Sequence, residues 1–481
     1  MKQTLRMFFA RQLFFLLLAA CSVFTAQAVK AGKPGVRVNV IIIYLDDMGY
    51  GDLGTTGALG YSTPNIDRLS DEGIFFTHYY SPQAVCSASR AGLMTGCYPN
   101  RIGFSGALDH RSAIGLGDNE ETIADMLKNK GYATAMFGKW HLGCQPQFLP
   151  LRHGFDEFYG IPYSHDMWPG HPTAKDYYPP LPLIENEQVV ATNPDYTLFT
   201  RQFTMKAIDF IERNRSKPFF IYLAHPLPHV PLGASPAFAG KSVQGLYGDV
   251  MTEIDWSVGE IIKTLRRLKL DNNTLVIFTS DNGPWINYGN HAGSPAGLRE
   301  GKGTTFEGGQ RVPCIIWYKG TIPPGTVTGK LASGIDILPT IADITGAPLP
   351  ANRIDGVSLV PLLKGDRDAV PRTAFYYYYR KNSLEAVTDG SWKLVFPHHG
   401  RTYEGYQPGN DGTPGKVDEN YWFEGGLYDL RRDPGERYNV IETYPEIVER
   451  LQVIASGARE DLGDDLTGNQ GKNRREPGRV R

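Results

Sequence analysis

Residues 38–45 (VNVIIIYL) are almost wholly apolar and stop abruptly at Asp46-Asp47, followed by a bend at Gly49 and Gly51. A short apolar run bounded by turn residues predicts a strand buried on both faces, as in parallel sheets. The pattern recurs three times. Residues 120–130 read as a helix closed by Gly131, and a strand at 133–137 then runs into Gly138-Lys139-Trp140-His141-Leu142-Gly143. A helix at 200–214 precedes the strand 219–224 (FFIYLA), after which come His225 and His229. A long amphipathic helix at 246–268 leads to the strand 275–279 (LVIFT), which ends in Ser280-Asp281-Asn282-Gly283. Ligands of open α/β sheets sit beyond the carboxyl ends of the strands. Loop solvation accounts for any one of these polar clusters, but four at the same end predict one shared site.

The texture changes near residue 360. Residues 375–379 (FYYYY), 392–396 (WKLVF) and 427–430 are short and β-like, 401–417 is Gly- and Pro-rich loop, and 447–455 resembles a terminal helix. The expected organisation is a main domain over residues 36–360, a smaller α+β domain over 361–465 and a disordered basic tail over 466–481. Gly and Pro, at 54 and 34 of 481 residues, agree with many turns. With 49 basic against 51 acidic residues there is no basic surplus to suit nucleic acid. Five cysteines are too few for a disulfide-built scaffold.

Residues 1–28 read as an export signal: Lys2, Arg6 and Arg11 precede the apolar run 13–20, which is too short to span a bilayer. Ala26-Gln27-Ala28 fits ordinary signal cleavage. Leu18-Ala19-Ala20-Cys21 fits a lipobox and is the alternative, with a lipid anchor at Cys21. Removing the segment moves the net charge from −2 to −5. The expected location is periplasmic or secreted.

Asp46, Asp47, Asp281 and Asn282 are all oxygen donors, a set suited to a hard cation; Ca²⁺ is favoured and Mg²⁺ is the alternative. Turn formation explains Asp46-Asp47 alone, but not a second pair at the same sheet end. Arg90, Lys139, His141, His229 and Lys302 add positive and proton-donating groups, the equipment for an anionic substrate whose transition state spreads charge over oxygens. Cys86-Ser87-Ala88-Ser89-Arg90 leads into a helical turn expected at 91–94, where the helix N-terminus favours anions. A buried structural Cys and a thiolate nucleophile are the other readings of residue 86.

The run Cys86 to Arg90, continuing to Leu93-Met94-Thr95-Gly96, resembles the first signature of the type I sulfatases, C-x-P/A-x-R followed by Leu-x-Thr-Gly. Gly131-Tyr132 through Gly143 resembles their second, and the similarity extends from about residue 38 to 447. Within the family, residues 146–160, 161–166 and 301–309 look most like arylsulfatase A and N-acetylgalactosamine-6-sulfatase. The resemblance implies an alkaline phosphatase-like α/β sandwich with a large mixed, mostly parallel sheet and a smaller C-terminal α+β domain carrying an antiparallel sheet. It implies that Cys86 is oxidised to formylglycine (3-oxoalanine), whose hydrate is the nucleophile, and that Asp46, Asp47, Asp281, Asn282 and residue 86 hold Ca²⁺. Arg90 would steady the hydrate, Asp281 help to deprotonate it, and Lys139, Lys302 and Ser164 hold sulfate oxygens. His229, with Lys302, would protonate the leaving alcohol, and His141 would regenerate the aldehyde. Position 88 is Ala where Pro is commoner, which bears on the modifying enzyme.

The expected activity is sulfuric ester hydrolysis on sulfated carbohydrate, with aryl sulfates as incidental substrates and a formylglycine-generating or radical maturase as partner. Tyr163, His165, Trp168, His291, His398 and His399 are candidates to line the alcohol side. A phosphatase or phosphodiesterase of the alkaline phosphatase-like superfamily is the runner-up, disfavoured by the lack of His beside the first metal cluster and of a Ser or Thr nucleophile. An inactive sulfated-glycan-binding protein is the third reading, and it predicts the loss of at least one of Cys86, Lys139, His141, His229 and Lys302, all of which are present.

Overall fold

In the central strand, Asn39–Leu45, Val40, Ile42 and Tyr44 enter one hydrophobic core and Ile41, Ile43 and Leu45 the other. That two-sided burial is why the strand reads as a continuous apolar run. The computed structural model describes residues 37–480; the signal segment and Cys21 lie outside them. Asn39–Leu45 pairs in parallel with Thr274–Ser280 on one side and Phe219–Ala224 on the other, and Ala133–Lys139 pairs in parallel with Phe219–Ala224. The four expected strands are therefore neighbours running the same way, and their polar ends meet at one edge. They form the middle of a ten-stranded mixed sheet whose flanks carry antiparallel pairs.

Helices cover both faces. Phe199–Arg213 and Leu246–Arg267 pack on one core, and Cys86–Thr95, Ile123–Asn129 and Ile337–Thr345 on the other. Thr122 caps Ile123–Asn129 by accepting from the backbone N–H groups of Ala124 and Asp125, while Asp125 returns a bond to the Thr122 N–H. The second sheet, Phe375–Tyr379, Ser383–Thr388, Trp392–Val395 and Gly426–Asp429, is antiparallel. The terminal helix runs Pro445–Leu462, longer than the expected 447–455, and buries Leu451, Ala455, Ala458 and Leu462, a spacing of one helical face.

The tail departs from expectation. Residues 466–480 are not a disordered terminus: Gly478–Arg479 pairs antiparallel with Ile114–Gly115. Arg475 grips Glu120 with two bonds, at 2.6 and 2.8 Å. The polar composition that reads as solvation is used in ion pairs with distant parts of the chain.

Candidate active site

Asp46 and Asp47 follow the first strand, and Asp47 adopts a left-handed φ of 66° that non-glycine residues rarely take. Asp281 and Asn282 follow the neighbouring parallel strand. At the bend after them, a Cβ on Gly283 would lie 1.8 Å from the Gly308 carbonyl oxygen, so only glycine fits. Asn282 Nδ2 donates to Asp47 Oδ1 at 2.7 Å, joining the two strand ends. Cys86 is the first residue of the Cys86–Thr95 helix, which begins earlier than the turn expected at 91–94. Its sulfur and carboxylate oxygens of Asp46 and Asp281 lie within 4.8 Å of one another.

Three cations are threaded between these carboxylates, all buried. Arg90 donates through Nε and Nη2 to Asp281 Oδ2 at 3.0 and 2.7 Å, and through Nη1 to the Lys139 carbonyl at 2.9 Å. Lys139 Nζ meets Asp46 Oδ2 at 2.5 Å, and Lys302 Nζ meets Asp47 at 2.8 Å. Burial alone would raise Asp46, but Lys139, His229, Arg90 and Lys302 hold it well below the usual carboxylate range. Asp281 goes the other way, pushed up to about 7 by burial and by the charge of Asp46. Three carboxylates thus crowd one small volume, while Asp46 Oδ1 and Asn282 Oδ1 are buried without a hydrogen-bond partner. Oxygen donors with unused lone pairs fit a hard divalent cation held by Asp46, Asp47, Asp281 and Asn282. Contrary to expectation a histidine does lie beside them, a ring nitrogen of His229 being within 4.8 Å of carboxylate oxygens of Asp46 and Asp47.

The Cys86 thiol is pushed up to about 11, chiefly by burial, with Asp46 and Asp281 adding to it against the pull of Lys139 and Lys302. Burial thus favours the protonated thiol here, which counts against the thiolate reading.

The two histidines present opposite faces. His141, also at a left-handed φ (63°), places Nε2 2.6 Å from the Leu108 carbonyl. A carbonyl only accepts, so Nε2 carries the proton and the unpartnered Nδ1 is left with its lone pair. Burial and Lys139 hold this imidazole neutral. His229 directs Nδ1 to the Val230 carbonyl and leaves Nε2 facing Asp47, 3.6 Å from Oδ2. The loop carrying Leu108 is itself pinned by a bond from the Leu108 N–H to Ser87 Oγ at 2.9 Å.

Ser164 is buried and its hydroxyl has no partner. His165 packs edge-on against His229, ring centroids 5.7 Å apart, and Trp168 against Tyr196. His398 is turned inward, ion-paired with Glu385 at 3.2 Å, whereas His399 packs at a tilt against the exposed Trp422. Tyr163 is buried and His291 is partly exposed. His225 is a core residue bonded to Ser257. Two contributors escaped the sequence reading. Trp285 lies 4.5 Å from Lys302 Nζ and packs on His229, and the signal for it was its place three residues after Asn282. Asp52 accepts from Gly49 N–H, Ser294 N–H and Tyr247 hydroxyl, fixing the bend after Asp47.

A buried cluster of carboxylates, cations and histidines at the carboxyl edge of a parallel sheet suits a hydrolase of anionic esters. The chain belongs to the sulfatase family: residues 38–347 match the sulfatase family model. Residues 371–476 match the C-terminal region of aryl-sulfatase, and 301–408 match the C-terminal part of N-sulphoglucosamine sulphohydrolase. It is 38% identical to N-acetylgalactosamine-6-sulfatase of Canis lupus familiaris over 90% of this chain and 87% of that protein. It is 38% identical to arylsulfatase A of Bos taurus over 86% of each. A solved structure from work on the metabolism of multiple glycosaminoglycans by Bacteroides thetaiotaomicron is 30% identical, with a TM-score of 0.76 over 88% of this chain and 99% of that one. The protein is a sulfuric ester hydrolase. Among the described residues no helix is long and apolar enough to cross a membrane.

Proposed function

We propose that this enzyme removes sulfate from sulfated carbohydrate, with residue 86 oxidised to formylglycine and Ca²⁺ held by Asp46, Asp47, Asp281, Asn282 and residue 86. The observation that carries the reading is the juxtaposition of the buried Cys86 sulfur, within 4.8 Å of carboxylate oxygens of Asp46 and Asp281, with the unpartnered oxygens of Asp46 and Asn282. A finished salt-bridge cluster would leave no such oxygens unpartnered. Formylglycine as its hydrate supplies an oxygen nucleophile, and bound Ca²⁺ offsets charge on the sulfate oxygens.

The chain's own groups do the rest. Arg90 fixes Asp281 against residue 86 through its two bonds to one oxygen. Lys139 and Lys302 bring two ammonium groups, and Ser164 an unused hydroxyl, to a sulfate that needs donors. His141, neutral and with Nδ1 open, accepts a proton at residue 86. His229, whose Nε2 faces Asp47, delivers a proton to the leaving alcohol. Carbohydrate is favoured as that alcohol by the relative named for N-acetylgalactosamine 6-sulfate chemistry and the structure from glycosaminoglycan metabolism. Export through residues 1–28, to the periplasm or beyond, and modification by a formylglycine-generating or radical maturase complete the reading.

The test is sulfate release from a panel of sulfated mono- and oligosaccharides beside 4-nitrophenyl sulfate, with and without EGTA. The expected result is release from at least one sugar, lost on chelation and restored by Ca²⁺ better than by Mg²⁺. Turnover of 4-nitrophenyl sulfate with none of the sugars overturns the carbohydrate reading, and full activity in EGTA overturns the metal.

A further inference from the structure

Asp166 is a carboxylate set inside a site that receives an anion. It is only 9% exposed, and its Oδ1 is sealed from solvent and accepts no hydrogen bond. It follows Ser164 by two residues, and the ring of the intervening His165 packs on His229 with centroids 5.7 Å apart, which sets Asp166 beside the site. Burial by itself would raise it, but the His229 imidazole, the Ser164 hydroxyl and the Lys139 ammonium outweigh burial and hold it down at about 2. The ion pairs of the site go instead to Asp46, Asp47 and Asp281.

A buried ionised oxygen without a donor is costly, and such a cost is retained where a ligand brings the donor. The sulfate group cannot supply it, because its anionic oxygens only accept. Positioning of His229 does not explain it either: Nδ1 of that ring is spent on the Val230 carbonyl and Nε2 faces Asp47. The Ser164 hydroxyl, the one side-chain donor that helps hold Asp166 down, is given to the sulfate in the reading above, so the donor left for Asp166 is on the alcohol half of the ester. His229 lies on the side of the leaving oxygen, so a group beside that oxygen is the one within reach of Asp166. Trp168, whose backbone N–H donates to the Asp166 carbonyl at 2.9 Å, is partly exposed and adds a ring of the kind that packs on sugars.

We propose that Asp166 is the residue by which this enzyme distinguishes a sulfated sugar from a sulfated aromatic ring, its carboxylate accepting a hydrogen bond from a hydroxyl of the sugar that carries the ester. The inference rests on the sulfated-carbohydrate reading above. A site built to bond a substrate hydroxyl rejects the analogue lacking it, because the buried partner is then left unpaired. An aryl sulfate has no such hydroxyl to lose.

The experiment compares wild type, Asp166→Ala and the isosteric Asp166→Asn on 4-nitrophenyl sulfate and on whichever sulfated monosaccharide of the panel the wild type cleaves fastest. The Ala variant is expected to lose roughly ten- to hundredfold in kcat/KM on the sugar, mostly through KM, and less than about twofold on the aryl sulfate. The Asn variant keeps an acceptor oxygen and is expected to fall between. Binding of the same sugar sulfate and of inorganic sulfate to Cys86→Ala proteins gives a readout free of turnover; Asp166→Ala should weaken the first and spare the second. Equal losses on both substrates, or no loss on the sugar, overturn the inference while leaving the carbohydrate reading intact. A wild type that cleaves 4-nitrophenyl sulfate and no sugar overturns both.

Discussion

Lys393 and Lys302 are both buried lysines held against carboxylates, yet their surroundings differ in kind. Lys393 reaches the Thr305 carbonyl at 2.8 Å, Glu436 at 2.8 Å and Glu307 at 3.2 Å, with the Tyr377 ring 4.0 Å away. Glu307 accepts in addition from the Tyr80 and Tyr377 hydroxyls, and Glu436 from the Glu307 N–H. Even the one oxygen of that cluster outside the hydrogen-bond set, Glu436 Oε1, sits against the Lys393 ammonium. Around Lys302 and Lys139, by contrast, Asn282 Oδ1, Ser164 Oγ and His141 Nδ1 are buried and unpartnered, and Asp46 Oδ1 has only Arg90 Nη2, 3.7 Å away and beyond hydrogen-bond reach. Buried charge is therefore no mark of function by itself. What separates the two clusters is that one closes on itself between the sheets and the other keeps donors and acceptors for something not part of the chain.

The comparison breaks most readily on paired substitutions. Lys302→Ala should cut sulfate release by roughly a hundred- to a thousandfold, as removal of one preorganised charge from a transition state does, with little change in Tm in Ca²⁺, where the cation offsets the charge left on Asp47. Lys393→Ala should leave Glu307 and Glu436 uncompensated and cost about 3–5 kcal/mol of stability, with turnover per folded molecule unchanged. Melting curves and kcat on both variants check this, and the reverse pattern would erase the distinction.

A smaller effect sharpens it. His225 and His153 are buried with no carboxylate in ion-pair contact, and burial lowers them to about 3 and about 4 respectively. A base whose folded pKa lies below its unfolded one leaves the unfolded chain holding the extra proton. Stability is then fully present above about pH 6.5 and lost as pH falls toward the folded values, by at most about 1.4 kcal/mol per pH unit for each group. Urea midpoints at pH 7, 6 and 5 should fall in that order, and His225→Gln should flatten the slope. A slope unchanged by the substitution would show that His225 bears no part of it.

Much of the site could be read along the chain because a parallel sheet writes itself locally. Each strand buried on both faces is an uninterrupted apolar run, so the residue at which polarity returns marks the functional edge, as at Asp46, Lys139, His225 and Asp281. The Cys86 to Arg90 run was legible as a motif, although the helix starts at Cys86 itself and not five residues later. Long-range pairings were not legible. Arg475 gave no sign of Glu120, 355 residues away, and its tail read as solvated because local composition carries no record of a distant ion pair. Asp166 looked like one more loop residue after Ser164; only its burial without a donor separates it from a turn-former. Glu307, Lys393 and Glu436 likewise form one cluster that no local spacing announces.

The central claim is that residue 86 works as an oxidised cysteine in a site completed by a cation. It is tested most directly by sulfate release from the purified protein, coexpressed with a formylglycine-generating enzyme, beside Cys86→Ala, together with the mass of the peptide carrying residue 86. The account predicts release by the wild type, none by the variant, and a peptide carrying the aldehyde or its hydrate. Full activity with an intact thiol at residue 86, or equal activity of the alanine variant, would contradict it.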